Sequence, residues 1–147
     1  MGYALFANRK LVLDAQLNCA QLQQTQRSNE QYNLAINSLG LSQQLSSQQA
    51  SQAGELAAEY EKLANAGSDD ERDKINATIQ KLMQEHKQEN DAINQQIYEV
   101  GVKEQAIELE VKRLDTMVTA LQQQLEAVEQ AEGDAVKRAT PKFKGVG

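Results

Sequence analysis

The residues best able to do chemistry in this chain of 147 residues are its single cysteine, Cys19, and its single histidine, His86. A thiol activated by an imidazole needs the two groups within hydrogen-bonding distance. In the antiparallel helical hairpin that the sequence predicts, the two residues lie about 40 Å apart along the helices, at 1.5 Å per residue. The sequence therefore predicts no Cys–His catalytic pair, and Cys19 is expected to be a small apolar packing residue.

His86 also lies among acidic residues that could bind a metal, since Glu85 and Glu89 are close to it in sequence. Di-metal helical bundles use a Glu-x-x-His motif with further glutamates from facing helices. Met83 occupies the position three residues before His86, and the predicted facing segment 45–52 offers only Gln and Ser as polar residues. No Gly-rich phosphate loop follows a strand, because no strand is predicted. The sequence thus predicts no catalytic residue, no metal ligand and no cofactor, and a protein that is not an enzyme.

The composition favours long helices over an ordinary globular core. The chain has no Trp, two Phe, four Tyr and a single Pro, Pro141, whereas a compact domain needs large apolar side chains and turn residues. Leu, Ile, Val and Ala are mixed with Gln, Glu and Lys, whose straight side chains lose little rotamer freedom in a helix. The formal net charge of −6 argues against nucleic acid as a partner, because phosphate binding needs clustered Lys and Arg.

The clearest turn in the sequence is at residues 65–68. Gly67 suits the left-handed residue that ends a helix, and Ser68 is a good N-cap, with Glu71 completing a capping box. The predicted segments are an N-terminal apolar lead at 1–7, a first helical arm at 8–64, a turn at 65–68, a second arm at 69–132 and a basic tail at 133–147. Because the turn is short, the expected fold is all-α: an antiparallel helical hairpin of coiled-coil type, packing into an oligomeric bundle or polymer.

The second arm carries one sustained apolar seam with alternating spacings of four and three residues, which is typical of a coiled coil. The predicted hairpin seam consists of Ile97, Val100, Ile107, Val111, Leu114, Val118, Leu121, Leu125 and Val128. Before it the spacing follows His86, Glu89 and Ile93, and the step from Ile93 to Ile97 is an extra four. Such a step locally unwinds a supercoil.

The first arm carries two lines of residues at helical spacing. The mixed line is expected to be the seam of this arm and consists of Leu11, Ala15, Asn18, Leu22, Thr25, Asn29, Tyr32, Ile36, Leu39, Gln43, Ser46, Ala50, Ala53, Ala57, Tyr60 and Ala64. The leucine line consists of Leu13, Leu17, Leu34, Leu41, Leu45, Leu56 and Leu63. Two lines imply a wider buried face than one partner helix covers, so the leucine line is predicted to form subunit contacts.

The surface of the first arm and the two chain ends point to protein partners. Residues 10–54 are nearly uncharged and rich in Gln, Asn and Ser, and such a surface packs against copies of itself without burying unpaired charge. The tail residues Lys142, Phe143 and Lys144 form a candidate docking segment or a disordered end. The apolar N-terminus could lie on a membrane surface, but packing in an assembly is favoured because both termini are expected at one end.

No apolar run approaches the ~20 residues of a membrane span, and Arg9 and Lys10 follow the N-terminal apolar residues, unlike the charge order of a signal peptide. A single cysteine cannot form an internal disulfide, so it does not identify the redox compartment. The expected location is the cytoplasm, or outside the cell after export without a cleaved signal peptide.

At the level of architecture, the Gln- and Ser-rich hairpin over residues 8–132, which lacks Trp, resembles coiled-coil proteins of bacterial flagellar and type III secretion systems. The resemblance implies a filament or needle subunit, or a small stalk protein of the export apparatus, although the Pro-containing basic tail and Cys19 depart from that pattern. Two functions remain open. One is a non-catalytic structural or scaffolding protein that self-assembles through its first arm. The other is an adaptor or chaperone-like tether that binds a partner through its termini.

Overall fold

The computed structural model describes residues 2–144, with side chains for residues 4–138. Its two helices are α1, Gly2–Ala64, and α2, Asp69–Lys144. They pack against each other, which confirms the all-α hairpin part of the predicted fold. The chain divides into two compact units, each a stretch of α1 packed on a stretch of α2. The terminal unit is Met1–Gln31 with Ala106–Gly147, and the turn unit is Tyr32–Gln105.

The connection at residues 65–68 is held by hydrogen bonds at the start of α2. The backbone N–H of Glu71 donates to Ser68 Oγ at 3.2 Å, and the backbone N–H of Gly67 donates to Glu71 Oε2 at 3.0 Å. These bonds satisfy donors that have no partner within the helix. No residue that the structure describes has a positive φ, so Gly67 is not left-handed as predicted. Instead, the N–H of Asn65 donates to the carbonyl oxygens of Glu61 and Lys62, both at 3.2 Å, and closes α1.

In the terminal unit, side chains of both helices form one apolar core. Its buried residues are Leu13, Ala20, Val118, Leu121 and Val128, with Phe6, Leu17 and Leu125 packed against them. Leu114, in the same unit, has an exposed fraction of 0%. Apolar burial contributes roughly 25 cal/mol per Å², so this core is the main source of stability for the unit.

The turn unit has a thinner apolar core, to which the two helices contribute unequally. Among the residues that the structure describes, its buried apolar side chains are Ile79, Ile93 and Val100, all from α2. The buried residue of α1 in this unit is a polar one, Gln52. The turn unit therefore depends more than the terminal unit on polar contacts between the helices.

The α2 residues predicted to form the hairpin seam lie on one covered face. The buried members are Val100, Leu114, Val118, Leu121 and Val128, and the half-buried members are Ile97, Ile107, Val111 and Leu125. The predicted seam passed through Glu89, which placed the extra step of four residues between Ile93 and Ile97. In the structure Glu89 is exposed and Asn90 is half-buried, so the extra step of four lies earlier, before Asn90. In both helices the covered residues there are spaced four and four apart: Leu82, His86 and Asn90 in α2, and Gln48, Gln52 and Leu56 in α1.

The two lines of α1 lie on the opposite faces from those predicted: the mixed line was expected to pack against α2, and the leucine line to face other subunits. Leu13 and Leu17 lie in the terminal core, the other leucine-line residues are half-buried, and every residue of the mixed line is exposed. The leucine line therefore faces α2, because leucines bury more apolar area than the Ala, Asn and Ser of the mixed line. The mixed line, not the leucine line, is the row of α1 that α2 leaves uncovered.

Both helices extend beyond their predicted boundaries. α1 begins at Gly2 instead of residue 8, and α2 continues through Gly133 and Pro141 to Lys144. A glycine inside a helix costs only about 1 kcal/mol, so Gly133 does not have to end α2. Pro141 lies in the last four residues of α2, so its missing N–H and the crowding of its ring against the carbonyl four residues earlier affect only the end of the helix.

Replacing Leu114 with Ala tests the terminal core, and Leu109 provides a matched control because its exposed fraction is 68%. We expect Leu114→Ala to lower the free energy of unfolding by about 2–5 kcal/mol, since it removes a fully buried side chain and leaves a cavity. Leu109→Ala should change it by no more than about 0.5 kcal/mol. Urea unfolding followed by circular dichroism measures both, and equal effects would contradict the assigned core.

Candidate functional site

The mixed line forms an exposed row on each of the two units. In the terminal unit it includes Leu11, Ala15, Asn18, Leu22, Thr25 and Asn29, and in the turn unit Tyr32, Ile36, Leu39, Gln43, Ser46 and Ala50. The exposed fractions of its largest side chains in the turn unit are 68% for Tyr32, 52% for Ile36 and 60% for Leu39. Large apolar side chains exposed at helical spacing are typical of a surface that another protein covers.

The exposed surface of α1 around this row carries little charge. Over residues 11–54, all of which the structure describes, the charged residues are Asp14, Arg27 and Glu30, and each of them is half-buried. About a quarter to a third of the residues on a well-behaved soluble surface are charged. This part of α1 is therefore unusual for a surface that stays in contact with water.

The outer surface of α2 has the opposite character. Sixteen of the 21 acidic residues of the chain lie in α2. Several of its exposed apolar residues adjoin charges, as Leu109 adjoins Glu108 and Glu110, and Val102 adjoins Lys103. The uncharged surface is thus a property of α1 and not of the hairpin as a whole.

Contacts with two glutamates reduce the effect of Arg27 on the surface around the mixed line. Its Nη1 donates to Glu30 Oε1 at 2.6 Å, and its Nε lies 3.0 Å from Glu110 Oε1 on α2. Hydrogen bonds to Glu30 and then to Glu110 raise the pKa of the Arg27 guanidinium above its ordinary value. The guanidinium is therefore directed toward α2, away from the mixed line.

The turn unit contains a second candidate feature, a polar layer between the helices. Gln52 and His86 are both buried, with exposed fractions of 7%. Gln52 Nε2 donates to Glu89 Oε2 at 3.1 Å and, more weakly, to the backbone oxygen of His86 at 3.5 Å. Gln48 Nε2 donates to the same Glu89 oxygen at 3.2 Å. These bonds fix one relative position of α1 and α2 within the turn unit, because a shift of either helix would leave buried polar groups unpaired.

His86 completes this layer through its contact with Glu55. Its Nε2 lies 2.9 Å from Glu55 Oε2, while its Nδ1 and the Oδ1 of Asn90 are buried and make no hydrogen bond to the residues that the structure describes. Both residues line a groove of about 500 Å³ between the helices. Buried polar atoms of this kind cost stability, so the layer contributes more to register than to the free energy of folding.

The sequence did not predict the contact between His86 and Glu55, because it placed His86 opposite residue 48. Side chains on a helix lean toward its N-terminus. A given point of the interface is therefore reached by a residue further toward the C-terminus of each helix than the residue whose backbone lies at that point. In an antiparallel pair, the two residues in contact both have higher numbers than the backbone positions that face each other there. The same displacement applies to the contact of Gln24 Nε2 with Asp115 Oδ1, at 2.6 Å in the terminal unit. A register based on backbone positions therefore misplaces long polar side chains by about one helical turn.

Neither Cys19 nor His86 belongs to a larger reactive cluster. Cys19 is exposed, not packed as the sequence predicted, and its Sγ accepts a long contact of 3.9 Å from Gln23 Nε2 in the terminal unit. Across the described chain, no group of three or more His, Cys, Asp or Glu residues is arranged to hold a metal ion.

The chain ends contribute less to the candidate site. Lys142, Phe143 and Lys144 were predicted to dock a partner, and their side chains lie outside the residues whose side chains the structure describes. Of the N-terminal apolar residues, Leu5 is exposed and Phe6 packs on the terminal core. Within residues 2–144, neither helix contains a stretch with the length and hydropathy needed to cross a membrane.

Replacing the two buried polar residues tests whether the polar layer stabilises the hairpin or only fixes its register. We expect the double variant Gln52→Leu/His86→Leu to raise the free energy of unfolding by about 1–3 kcal/mol, because well-packed apolar residues often stabilise more than buried polar ones. The exposed Gln123→Leu is the control and should change it by no more than about 0.5 kcal/mol. Thermal unfolding measures both, and a lower melting temperature in the double variant would show that the layer is a net source of stability.

Comparison of the chain with protein-family models, with curated proteins and with solved structures gives no match. Any inference about function therefore depends on the residues of α1 and α2 themselves. Among those residues, the exposed mixed line and the polar layer are the two features that packing within the hairpin leaves unexplained.

Proposed function

We propose that this protein is a non-catalytic structural protein that self-assembles, as a coiled coil, through the outward face of α1. The observation that carries the proposal is the exposed surface over residues 11–54, which contains the mixed line and only three charged residues, all half-buried. Apolar residues at spacings of four and three along a helix are what a further helix packs against. The proposal keeps the helix predicted from the sequence but moves the subunit contact from the leucine line to the mixed line.

The chemistry of the two outer surfaces supports a second copy of the chain as the partner. A surface without charge buries favourably only against another surface without charge, because an unpaired buried charge costs several kcal/mol. α1 of another copy offers such a surface. The outer side of α2 does not, since Glu108, Glu110 and Lys112 would lie beside Leu109 in any contact there. Self-association through α1 therefore buries the mixed line at the least electrostatic cost.

A role as a scaffold, or as a component of a filament or secretion apparatus, belongs to the same proposal and is supported by the resemblance in architecture alone. The alternative function, a tether that grips its partner by the chain ends, depends on Lys142, Phe143 and Lys144. No contact of these three side chains is described, so no observation favours the tether over self-assembly.

The proposal is tested by placing charge on the mixed line. We expect the double variant Ile36→Glu/Leu39→Glu to weaken self-association by about a hundredfold or more, since each carboxylate would be buried without a partner in an apolar contact, at a cost on the order of 3 kcal/mol. Helicity should be retained, because both side chains are exposed in the hairpin. Light scattering across a concentration series gives the mass, and circular dichroism gives the helicity.

Leu109→Glu is the matched control, because Leu109 is as exposed as Leu39 but lies on α2. It should leave the mass of the assembly unchanged. A wild-type chain that stays monomeric at all concentrations, or an assembly that tolerates the double variant, would contradict the proposal. Negative-stain microscopy of the wild type then distinguishes a discrete multimer from a polymer.

A further inference from the structure

We infer that two copies of the chain pair antiparallel through α1 of their turn units, with Leu39 of each copy packed against Ala50 of the other. This inference rests on the proposed function and adds to it the direction and register of the contact. The contact lies within one compact unit of each copy. Its surface is a row of eight exposed mixed-line residues: Tyr32, Ile36, Leu39, Gln43, Ser46, Ala50, Ala53 and Ala57.

The segment of α1 that carries this row has no charge. Residues 31–54 include no Asp, Glu, Lys, Arg or His. The next charged residue, Glu55, is in contact with His86 on α2, with 2.9 Å between its Oε2 and the Nε2 of the ring. A surface without charge can be covered without leaving a charge unpaired only where the covering surface is uncharged too. The same segment of a second copy meets that condition, whereas the exposed side of α2 in this unit includes Asp91, Glu99 and Lys103.

Two glycines beside the row are not required by the hairpin. Gly40 and Gly54 are exposed, two heptads apart, and follow Leu39 and Ala53 in sequence. A Cβ at either position would meet no atom of the described chain within 4 Å, and neither glycine has a positive φ. Glycine is less favourable than alanine inside a helix, so the hairpin alone would favour alanine here. A second helix packed closely on this row accounts for both glycines, because glycine lets another backbone approach.

The sizes of the side chains in the row favour the antiparallel direction. The first half contains the large apolar residues, from Tyr32 to Leu39, and the second half contains alanines, from Ala50 to Ala57. In a parallel pair large residues would face large ones at one end and alanines would face alanines at the other. The helices would then have to converge, because the distance between their axes follows the side chains at the contact. In an antiparallel pair each large residue faces an alanine, so that the distance stays uniform.

Gln43 and Ser46, in the middle of the row, favour one antiparallel register. The facing pairs in this register are Tyr32 with Ala57, Ile36 with Ala53, Leu39 with Ala50, and Gln43 with Ser46. An amide and a hydroxyl each donate and accept hydrogen bonds, so the last two can bond to each other. A shift by one heptad would oppose Gln43 with Leu39 in one direction and with Ala53 in the other. Both shifts would bury the amide without a partner.

This register also has the symmetry that a closed dimer requires. Leu39 of the first copy faces Ala50 of the second, and the reverse contact occurs as well, which defines an isologous twofold contact. The twofold axis passes between residues 44 and 45, so that the Gln43–Ser46 pairs lie on either side of it. Every residue of the row then faces a residue of the second copy.

Disulfide trapping tests the direction and register. The full chain is prepared with Cys19→Ser, which removes its single cysteine, and with Leu39→Cys and Ala50→Cys together. After mild oxidation we expect roughly tenfold more covalent dimer from this double variant than from Leu39→Cys alone, because the two positions face each other across the contact. An internal bond cannot form, since residues 39 and 50 of one helix are about 16 Å apart. Denaturing electrophoresis without reductant measures the dimer, and light scattering under reducing conditions measures association.

Two other double variants are matched controls for the register. Leu39→Cys with Ala57→Cys would be linked only after a shift by one heptad in one direction, and Ile36→Cys with Ser46→Cys only after a shift in the other. Both should give no more covalent dimer than Leu39→Cys alone.

Each other outcome overturns the inference in a distinct way. Covalent dimer from Leu39→Cys alone, at the yield of the double variant, would indicate a parallel pair. More dimer from a control variant would indicate a shifted register, and association without covalent dimer in any variant would place the contact elsewhere. These three results leave self-assembly intact. If the reduced Cys19→Ser chain, with Leu39 and Ala50 intact, is monomeric at all concentrations, the proposed function fails and the inference fails with it.

Discussion

Everything in this hairpin depends on the fact that α2 has one apolar seam while α1 has two lines of residues able to pack. A helix can cover only one face of its neighbour, so the seam of α2 can pack against either the leucine line or the mixed line of α1, but not against both. It covers the leucine line, whose side chains contribute to the terminal core and to the half-buried face of the turn unit. The exposure of Tyr32, Ile36 and Leu39 follows from that choice, because they lie on the other face of the same helix.

The covered face of α1 is itself partly polar, and this shapes how the helices are held in register. In the terminal unit, Gln24 and Arg27 reach Asp115 and Glu110 on α2, and in the turn unit Gln52 bonds with Glu89. Apolar side chains pack nearly as well after a shift of one heptad, whereas these polar groups would lose their partners. Apolar burial therefore provides most of the stability, and polar pairs within each unit select one register.

The sequence was sufficient to predict two long helices that pack against each other, because these depend on local capping chemistry and on strong helical periodicity. It was insufficient for α1, whose two lines have the same spacing. Spacing alone does not show which line a partner covers. All seven residues of the leucine line are large and apolar, against six of the sixteen on the mixed line, and that larger share would have favoured the leucine line. The contact of Glu55 with His86 was missed for a different reason, since the predicted register took no account of the lean of side chains along a helix.

The distribution of charge links the fold to the proposed assembly. The acidic residues of the chain are concentrated on α2, and an assembly built through α2 would bring them together at short range. In the proposed contact, α1 lies between the contact surface and α2. The acidic surfaces of two copies are then separated by more than an interhelical distance of about 10 Å, which exceeds the Debye length of about 8 Å at physiological ionic strength. Repulsion between copies would therefore be screened in the proposed assembly, so the net charge of −6 would not oppose its formation.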